Sequence, residues 1–442
     1  LADTSATQNP AVIPFLDPVN NTIRLGTTIV GLTGILNHSF GNYAIHATEA
    51  PAFNYAPRPL TPPAVGGNIR VASFNVLNFF NGNGAGGGFP TSRGADTAYE
   101  FGRQKAKIVA ALCGLGADVV GLLEMENDGN GTTSALTELT NALTATNGCG
   151  NWAYVPNPSG WGTIPGSTDE IRPALIYRTT AVSPVGTSMS PNDAAFNQAR
   201  APVAQTFSVS GGASAGQKLS VIVNHFKSKG GTGTGADADQ GDGQGNWNAM
   251  RKGQATALLS FITTVQATAN DPDVIILGDL NAYSQEDPMD ILRAGGLIDL
   301  AVGEHSYVFG GQSGSLDHAM VTPSLKAQVT NAGIWNINSD EPVILDYNVE
   351  FKNNPNCTSA TCTSPDYYTA TPFRSSDHDP VLVGITLGAP SLDIDDSAPA
   401  TQYDAASDGV LLLRYLLGYR DAALTGGAIG AGARRNAAQI AQ

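Results

Sequence analysis

A chain of 442 residues is long enough for a large core and more than one domain, and an apolar content of 42% suits a globular protein. With 23 Lys and Arg against 38 Asp and Glu, the net charge of −15 excludes passive, nonspecific attraction to nucleic acid, which needs cations to neutralise phosphates. A bound divalent cation can still supply positive charge locally.

Residues 1–66 are rich in Pro, Asn and Thr. They hold one strand-like pair, Thr27 to Ile35 and Gly41 to Ala47, and read as the remnant of a small β module. The run PRPLTPP, Pro57 to Pro63, then forms a stiff linker. The chain starts at Leu1 without a signal segment, and no run nears the ~20 apolar residues of a membrane span. A processed, secreted, monomeric protein without a membrane span is expected.

Residues 67–389 alternate strand and helix signals. Strands are expected at Ile69 to Val76, Asp118 to Leu123, Ala174 to Tyr177, Val203 to Val209, Leu219 to Asn224, Asp273 to Leu277, Leu316 to Thr322 and Pro380 to Ile385. Helices are expected at Ala98 to Leu115, where Phe101, Lys105, Ile108 and Leu112 share a face, at Thr133 to Thr146 and at Asn246 to Gln266. This pattern predicts an α/β fold of two packed sheets flanked by helices. Residues 390–442 differ: an acidic stretch from Ser391 to Asp408, an apolar helix from Val410 to Leu417, then Ala and Gly.

The four cysteines lack a CxxC pair, which argues against a zinc knuckle and for disulfides in an oxidising compartment. Cys357 and Cys362 are expected to staple one polar loop, and Cys113 would then pair with Cys149 between two helix ends, with two buried free thiols the alternative.

The chemistry is written at the strand ends. SFNVLN closes the first strand with Asn75 and Asn78, and VVGLLE closes the second with Glu124. VIVNH ends in His225, and VIILGDLN carries Asp279 and Asn281. SLDH opens a strand with Asp317 and His318, and SSDHD brings Asp377 and His378 before the last. Buried carboxylates are costly unless paired or metal-bound, and Asp, Glu and Asn oxygens are hard ligands. The set points to a hard divalent cation.

The segments SFNVLNFF, ADVVGLLEMEN, VIVNHFKSKG, GDLNA, SLDHAMVT and SSDHDPV, in this order, resemble the endonuclease/exonuclease/phosphatase superfamily, specifically its extracellular nucleases. The resemblance spans roughly Gly67 to Leu387. It implies a four-layer α/β sandwich and hydrolysis of phosphodiesters or phosphomonoesters with Mg²⁺ or Mn²⁺, with Ca²⁺ a further candidate. It implies Asn75, Glu124 and Asp377 at the metal, His225 on the scissile phosphate or as acid, and Asp279 and Asn281 orienting water and phosphate. Asp317 and His378 are expected to be the water-activating pair. Asn78, Asp169 and Lys227 are candidate substrate contacts.

The family often has Gln where this chain has Leu123. Glu126 competes with Glu124 as a ligand, since period two places both on one strand face. Arg93, Arg103 and Arg200 read as solvated surface, with phosphate contact the alternative. The loop Gly230 to Gly245 reads as flexible, with a Ca²⁺ site at Asp237, Asp239 and Asp242 the alternative. Trp247 reads as core, with base stacking the alternative.

The tail resembles a dockerin-like calcium loop, which implies a site at Asp393, Asp395 and Asp408, although Asp396 stands where a Gly turn is expected. An acidic linker is the plain alternative. The expected function is therefore a secreted nuclease acting on DNA, or RNA. The alternatives are a phosphatase or phospholipid phosphodiesterase of the same superfamily, and a non-catalytic cell-surface binding protein.

Overall fold

The structure is a computed structural model that describes residues 12–39, 41–300, 303–358, 361–388, 394–395, 406–430 and 432–440. It divides into two units, Leu1–Thr386 and Leu387–Gln442.

Two six-stranded sheets build the first unit. Their strands, in chain order, are β1 (Ile69–Phe79), β2 (Val119–Glu126), β3 (Trp152–Tyr154), β4 (Ile171–Arg178), β5 (Val182–Met189), β6 (Val203–Val209), β7 (Lys218–His225), β8 (Val274–Asp279), β9 (Ile298–Asp299), β10 (Asp317–Val321), β11 (Val329–Ile334) and β12 (Val381–Ile385). One sheet runs β11-β12-β1-β2-β4-β3 and the other β9-β10-β8-β7-β6-β5. Each centres on one parallel pair, β1 with β2 and β7 with β8, inside antiparallel neighbours. These central strands are nearly continuous apolar runs because both faces are covered.

Helices cover the outer faces. Helix α1 (Ala98–Leu115) starts at Thr97, whose side chain accepts from the Glu100 N–H, while the Glu100 carboxylate accepts from the Asp96 N–H. Its Phe101, Ile108 and Leu112 pack with Leu136, Leu139 and Leu143 of α2 (Ala135–Ala145) onto Phe74, Val76 and Leu122. Lys105 on that stripe stays half-buried, paired with Glu138 at 2.6 Å. Helices α3 (Asn248–Ala269) and α4 (Asp287–Ala294) cover Ile222, Val274 and Ile276 of the other sheet. Between the sheets, Gly121 lets them close: a Cβ there would lie 2.7 Å from Leu277 and 2.8 Å from Val223. The result is the expected mixed α/β sandwich of two large sheets flanked by helices. Strands β3, β5, β9 and β11 are additional to the sequence reading; half of β5 is exposed and it lacks the apolar alternation that marks a half-buried strand.

The N-terminal pairing differs from expectation. Gly31, at φ 68°, breaks the strand expected from Thr27 to Ile35. Thr28–Val30 pairs instead with Ala52–Asn54, and Gly34–Ser39 forms a hairpin with Asn42–Ala47. This region is fastened to the sandwich. Arg24 binds Glu341 and Asp340, Arg58 binds Glu341 at 2.7 Å, and Ile13 and Leu16 pack on Ile344 and Leu345.

Both disulfides are formed, Cys113–Cys149 across 36 residues and Cys357–Cys362 across 5. Chain entropy predicts that removing the first pair costs about 4 kcal/mol and the second about 2 kcal/mol. Double alanine variants should show that order in urea midpoints. Equal losses would mean that the Cys113–Cys149 bridge constrains an already ordered unfolded chain.

In the second unit, Leu411, Leu424 and Ala428 form a small core around the helix Asp408–Leu416. The Asp408 carboxylate accepts the N–H groups of Ile394 and Asp395, and the Asp395 carboxylate accepts the Gly430 N–H at 2.5 Å. Asp393 lies outside the described residues.

Candidate active site

Register alone brings three of the predicted side chains into one row. His225 pairs with Asp279 between β7 and β8, and Asp279 pairs with Asp317 between β8 and β10. Each stands at a strand end and is at least 97% buried. His225 Nε2 lies 3.5 Å from Asp279 Oδ2. From the other sheet, the loop before β12 delivers His378, whose Nδ1 meets Asp317 Oδ2 at 2.7 Å and whose Nε2 lies 3.8 Å from Asp279 Oδ2. Asn281, in the left-handed region at φ 47°, donates its N–H to Asp279 Oδ1 and its side-chain amide to Phe226 O.

Glu124 reaches the same place by an irregularity. The pairing of β2 shifts against both neighbours between Leu122 and Met125, and Glu124 sits there at φ 64°. Such a bulge redirects side chains at a strand end. It breaks the two-residue alternation, so Leu122 and Met125, three apart, both join the helix-side core. The expectation that Glu124 and Glu126 share a face and compete is thereby corrected. Glu124 accepts from the Asn75 side-chain amide and the Asn78 N–H, whereas Glu126 accepts from the Asn81 N–H. Asn75 Oδ1 already accepts from the Leu77 N–H, so Asn75 orients Glu124 here. Asn78, at φ 50°, keeps a buried Oδ1 without a hydrogen bond.

The electrostatics follow from burial. Burial pushes the Glu124 carboxyl up and Asp377 repels it further, against the pull of His378. Burial likewise raises Asp279, with Asp317 adding to it and His378 opposing. Burial works against the His378 proton, yet Asp317, Asp279 and Asp377 together hold it well above the ordinary histidine range. His225 goes the other way, lowered by burial and by Arg200. Arg200 Nη2 lies 3.1 Å from His225 Nε2, and a guanidinium only donates, so Nε2 accepts and the ring is neutral with its proton on Nδ1. That Nδ1 is buried and has no partner.

Arg200 is the main correction to the sequence reading. It is buried, bonded also to Phe226 O at 3.2 Å, and faces Asp169, Glu124 and Asp279. No local pattern marks it, because its neighbours in space come from β7, β8 and β2. Arg103 is also buried, in a two-pronged pair with Asp366, and only Arg93 is exposed as expected. Trp247 is not core: half-buried at φ 66°, it donates to Gly230 O and carries Lys227 4.7 Å above its ring. Asp237, Asp239 and Asp242 each accept a nearby backbone N–H. Among the described residues, the trio of ligating side chains that comes within 4.8 Å is Asp96, Glu100 and Glu350. Asn338 was also invisible in the sequence. Its amide oxygen takes the Ser375 and Ser376 N–H groups and its NH₂ donates to His378 O, fixing the loop that presents Asp377 and His378.

His318, beside Asp317, serves structure. Its Nε2 bonds Ala282 O at 2.9 Å and Nδ1 faces Asp299 at 3.3 Å. Burial opposes its charge, but the hydrogen bond to Asp299 and the nearby carbonyl raise its pKa. A raised folded pKa contributes stability below the unfolded value near 6.5, lost as pH rises through the folded value. The stability gap between wild type and His318→Gln should therefore shrink from pH 6 to pH 9 in urea melts. A gap that widens would mean that His318 is neutral when folded.

The donors near Glu124 and Asp377 suit a hard divalent cation, since a cation would relieve the repulsion that the partly exposed Asp377 exerts on Glu124. A search of curated proteins finds no match. Among solved structures, the chain is similar to an endonuclease/exonuclease/phosphatase family protein of Bacteroides thetaiotaomicron at 17% identity, covering 71% of this chain and 96% of that one, TM-score 0.44. It is similar to a mannosyl-6-phosphatase of the same organism at 16% identity, covering 72% and 100%, TM-score 0.45. The human Nocturnin catalytic domain matches at 14% identity, covering 72% and 95%, TM-score 0.41. With the family model for "Endonuclease/Exonuclease/phosphatase family" matching residues 72–378, which hold every strand-end group described above, the chain belongs to that family of hydrolases.

Proposed function

We propose that this chain is a secreted, metal-dependent nuclease that hydrolyses phosphodiester bonds of DNA, with RNA as the second substrate. The row His225–Asp279–Asp317, closed by His378 from the facing sheet, carries the reading. Glu124 and Asp377 would hold Mg²⁺ or Mn²⁺, with Ca²⁺ the third choice, and that cation supplies charge neutralisation on the phosphate. Asn75 and the Asn78 N–H hold Glu124 in place.

Water beside Asp279 loses its proton to that carboxylate, while His378, held protonated by the surrounding carboxylates, is a donor to the reacting oxygens. Burial brings Asp279 toward the range in which a carboxylate is an effective base near neutral pH. Asp317 fixes the His378 ring through Nδ1. Neutral His225, through its unpartnered Nδ1–H, and the Arg200 guanidinium offer donors to phosphate oxygens. Lys227, two residues past His225, and Asp169, which faces Arg200, serve as substrate contacts in this reading. Two formed disulfides suit an oxidising, extracellular setting.

The test is cleavage of plasmid and oligonucleotide DNA with Mg²⁺, Mn²⁺ or Ca²⁺ and with excess chelator, beside RNA, a sugar phosphate and sphingomyelin. DNA cleavage lost in chelator and restored by metal is expected. Undiminished cleavage in chelator, or turnover confined to the sugar phosphate or the lipid, would overturn the proposal.

A further inference from the structure

Four aromatic rings, Tyr307, Phe309, Tyr283 and Trp247, stand at the rim of the site without a part in the hydrolysis described above. The segment before β10 forms a short hairpin, Tyr307–Phe309 against Gln312–Gly314, turned by Gly310 and Gly311, both at positive φ. Its base is anchored to the row itself. Ser306 Oγ donates to Asp317 Oδ2 at 2.7 Å, Asp379 N donates to Ser306 O, and Gly314 lies directly under the Tyr283 ring. Tyr307 stacks on the His378 imidazole, centroids 4.5 Å apart and planes 28° apart. Phe309, two residues on, lies parallel to Tyr307 within 8° at 6.4 Å and is 71% exposed.

An exposed, flat ring on a pinned hairpin, joined through a second ring to a histidine of the site, is costly to leave in water. The ring has a purpose if a flat ligand covers it. A cation lies along the same rim: Lys227 covers Trp247, whereas Lys229, 5.5 Å from the Tyr283 ring centroid, is already paired with Glu286 at 2.6 Å. Flat rings interleaved with cations suit an unpaired polynucleotide, whose bases stack and whose phosphates seek positive charge. A paired base is already stacked on both sides, and reaching it means paying its unstacking energy.

We infer that the Tyr307–Gly314 hairpin is a base-stacking platform that seats an unpaired nucleobase beside the scissile phosphodiester, Phe309 supplying the outer face and Tyr307 positioning His378, so that single strands are preferred. The inference rests on the nuclease reading and names its substrate class.

The experiment compares full-length wild type with Phe309→Ala, Phe309→Leu and Phe309→Tyr. Substrates are a single-stranded oligonucleotide, its duplex, and the same strand with tetrahydrofuran spacers replacing the bases around one phosphodiester. Wild type should cut the based strand faster than the spacer strand, by between about fivefold and a hundredfold in kcat/KM, the span that one stacked base allows. Phe309→Ala and Phe309→Leu should remove that preference through KM while leaving kcat on the spacer strand unchanged, and Phe309→Tyr should restore it. Binding of the labelled single strand in excess chelator, followed by anisotropy, should weaken in the same variants. Equal preference in wild type and Phe309→Ala, or no preference in wild type, overturns the platform and leaves the nuclease reading standing. Phe309-dependent binding without any cleavage overturns the nuclease reading and leaves the platform standing.

Discussion

Asp279→Asn is expected to cut turnover by ~10²–10⁴-fold while the protein stays as stable as wild type or becomes more so. The carboxylate stands between His225 at 3.5 Å and His378 at 3.8 Å, with Asp317 as its register partner. In water its charge would be free; here burial opposes it and Asp317 repels it, so the fold carries a strained charge at the point of chemistry. Asparagine keeps the shape and the oxygen that accepts the Asn281 N–H, but cannot take a proton from water. Cleavage rates and urea melts on one preparation separate the outcomes. Wild-type turnover would place the chemistry elsewhere, and a large stability loss would make Asp279 a structural charge.

Arg200→Ala should fail in both assays. The guanidinium is the buried cation facing Asp169, Glu124 and Asp279, and it sets the His225 tautomer by donating to Nε2. Removing one partner of a buried charge set leaves the others uncompensated, about 3 kcal/mol of stability. Losing a fixed donor beside the phosphate costs ~10²–10³-fold in rate. Arg200→Lys should recover more stability than rate, because one ammonium cannot copy the fork that reaches both His225 and Phe226 O. Combined with Asp279→Asn, the stability loss of Arg200→Ala should be smaller than the sum of the single effects, since one repelling carboxylate is gone. Strict additivity in that double-mutant cycle would show that the two groups do not interact, and the electrostatic account of the site would fall with it.

The two substitutions also mark where sequence reading stops. Asp279 was legible because it ends an apolar run, DVIILGD, and a carboxylate at such a point must be paired, metal-bound or catalytic. Glu124 and His225 were legible in the same way, whereas Asp317 and His378, which precede apolar runs, were legible only through the full set. Arg200 follows no apolar run and sits in the loop before β6, so only its neighbours in space reveal it. Asn338 lies about 40 residues from the loop it clamps. Trp247 was taken for core because an isolated tryptophan usually is; its left-handed backbone and its lysine partner belong to the rim.

By itself, the order of apolar runs and polar strand ends determined the alternating α/β plan and pointed to hydrolytic chemistry, because burial and hydrogen bonding act on each segment locally. Tertiary structure alone decided which groups meet. Register set His225, Asp279 and Asp317 side by side, a bulge turned Glu124 away from Glu126, and the facing sheet supplied His378. Those contacts join residues up to about 100 positions apart, and no spacing rule within one strand or helix reaches that far.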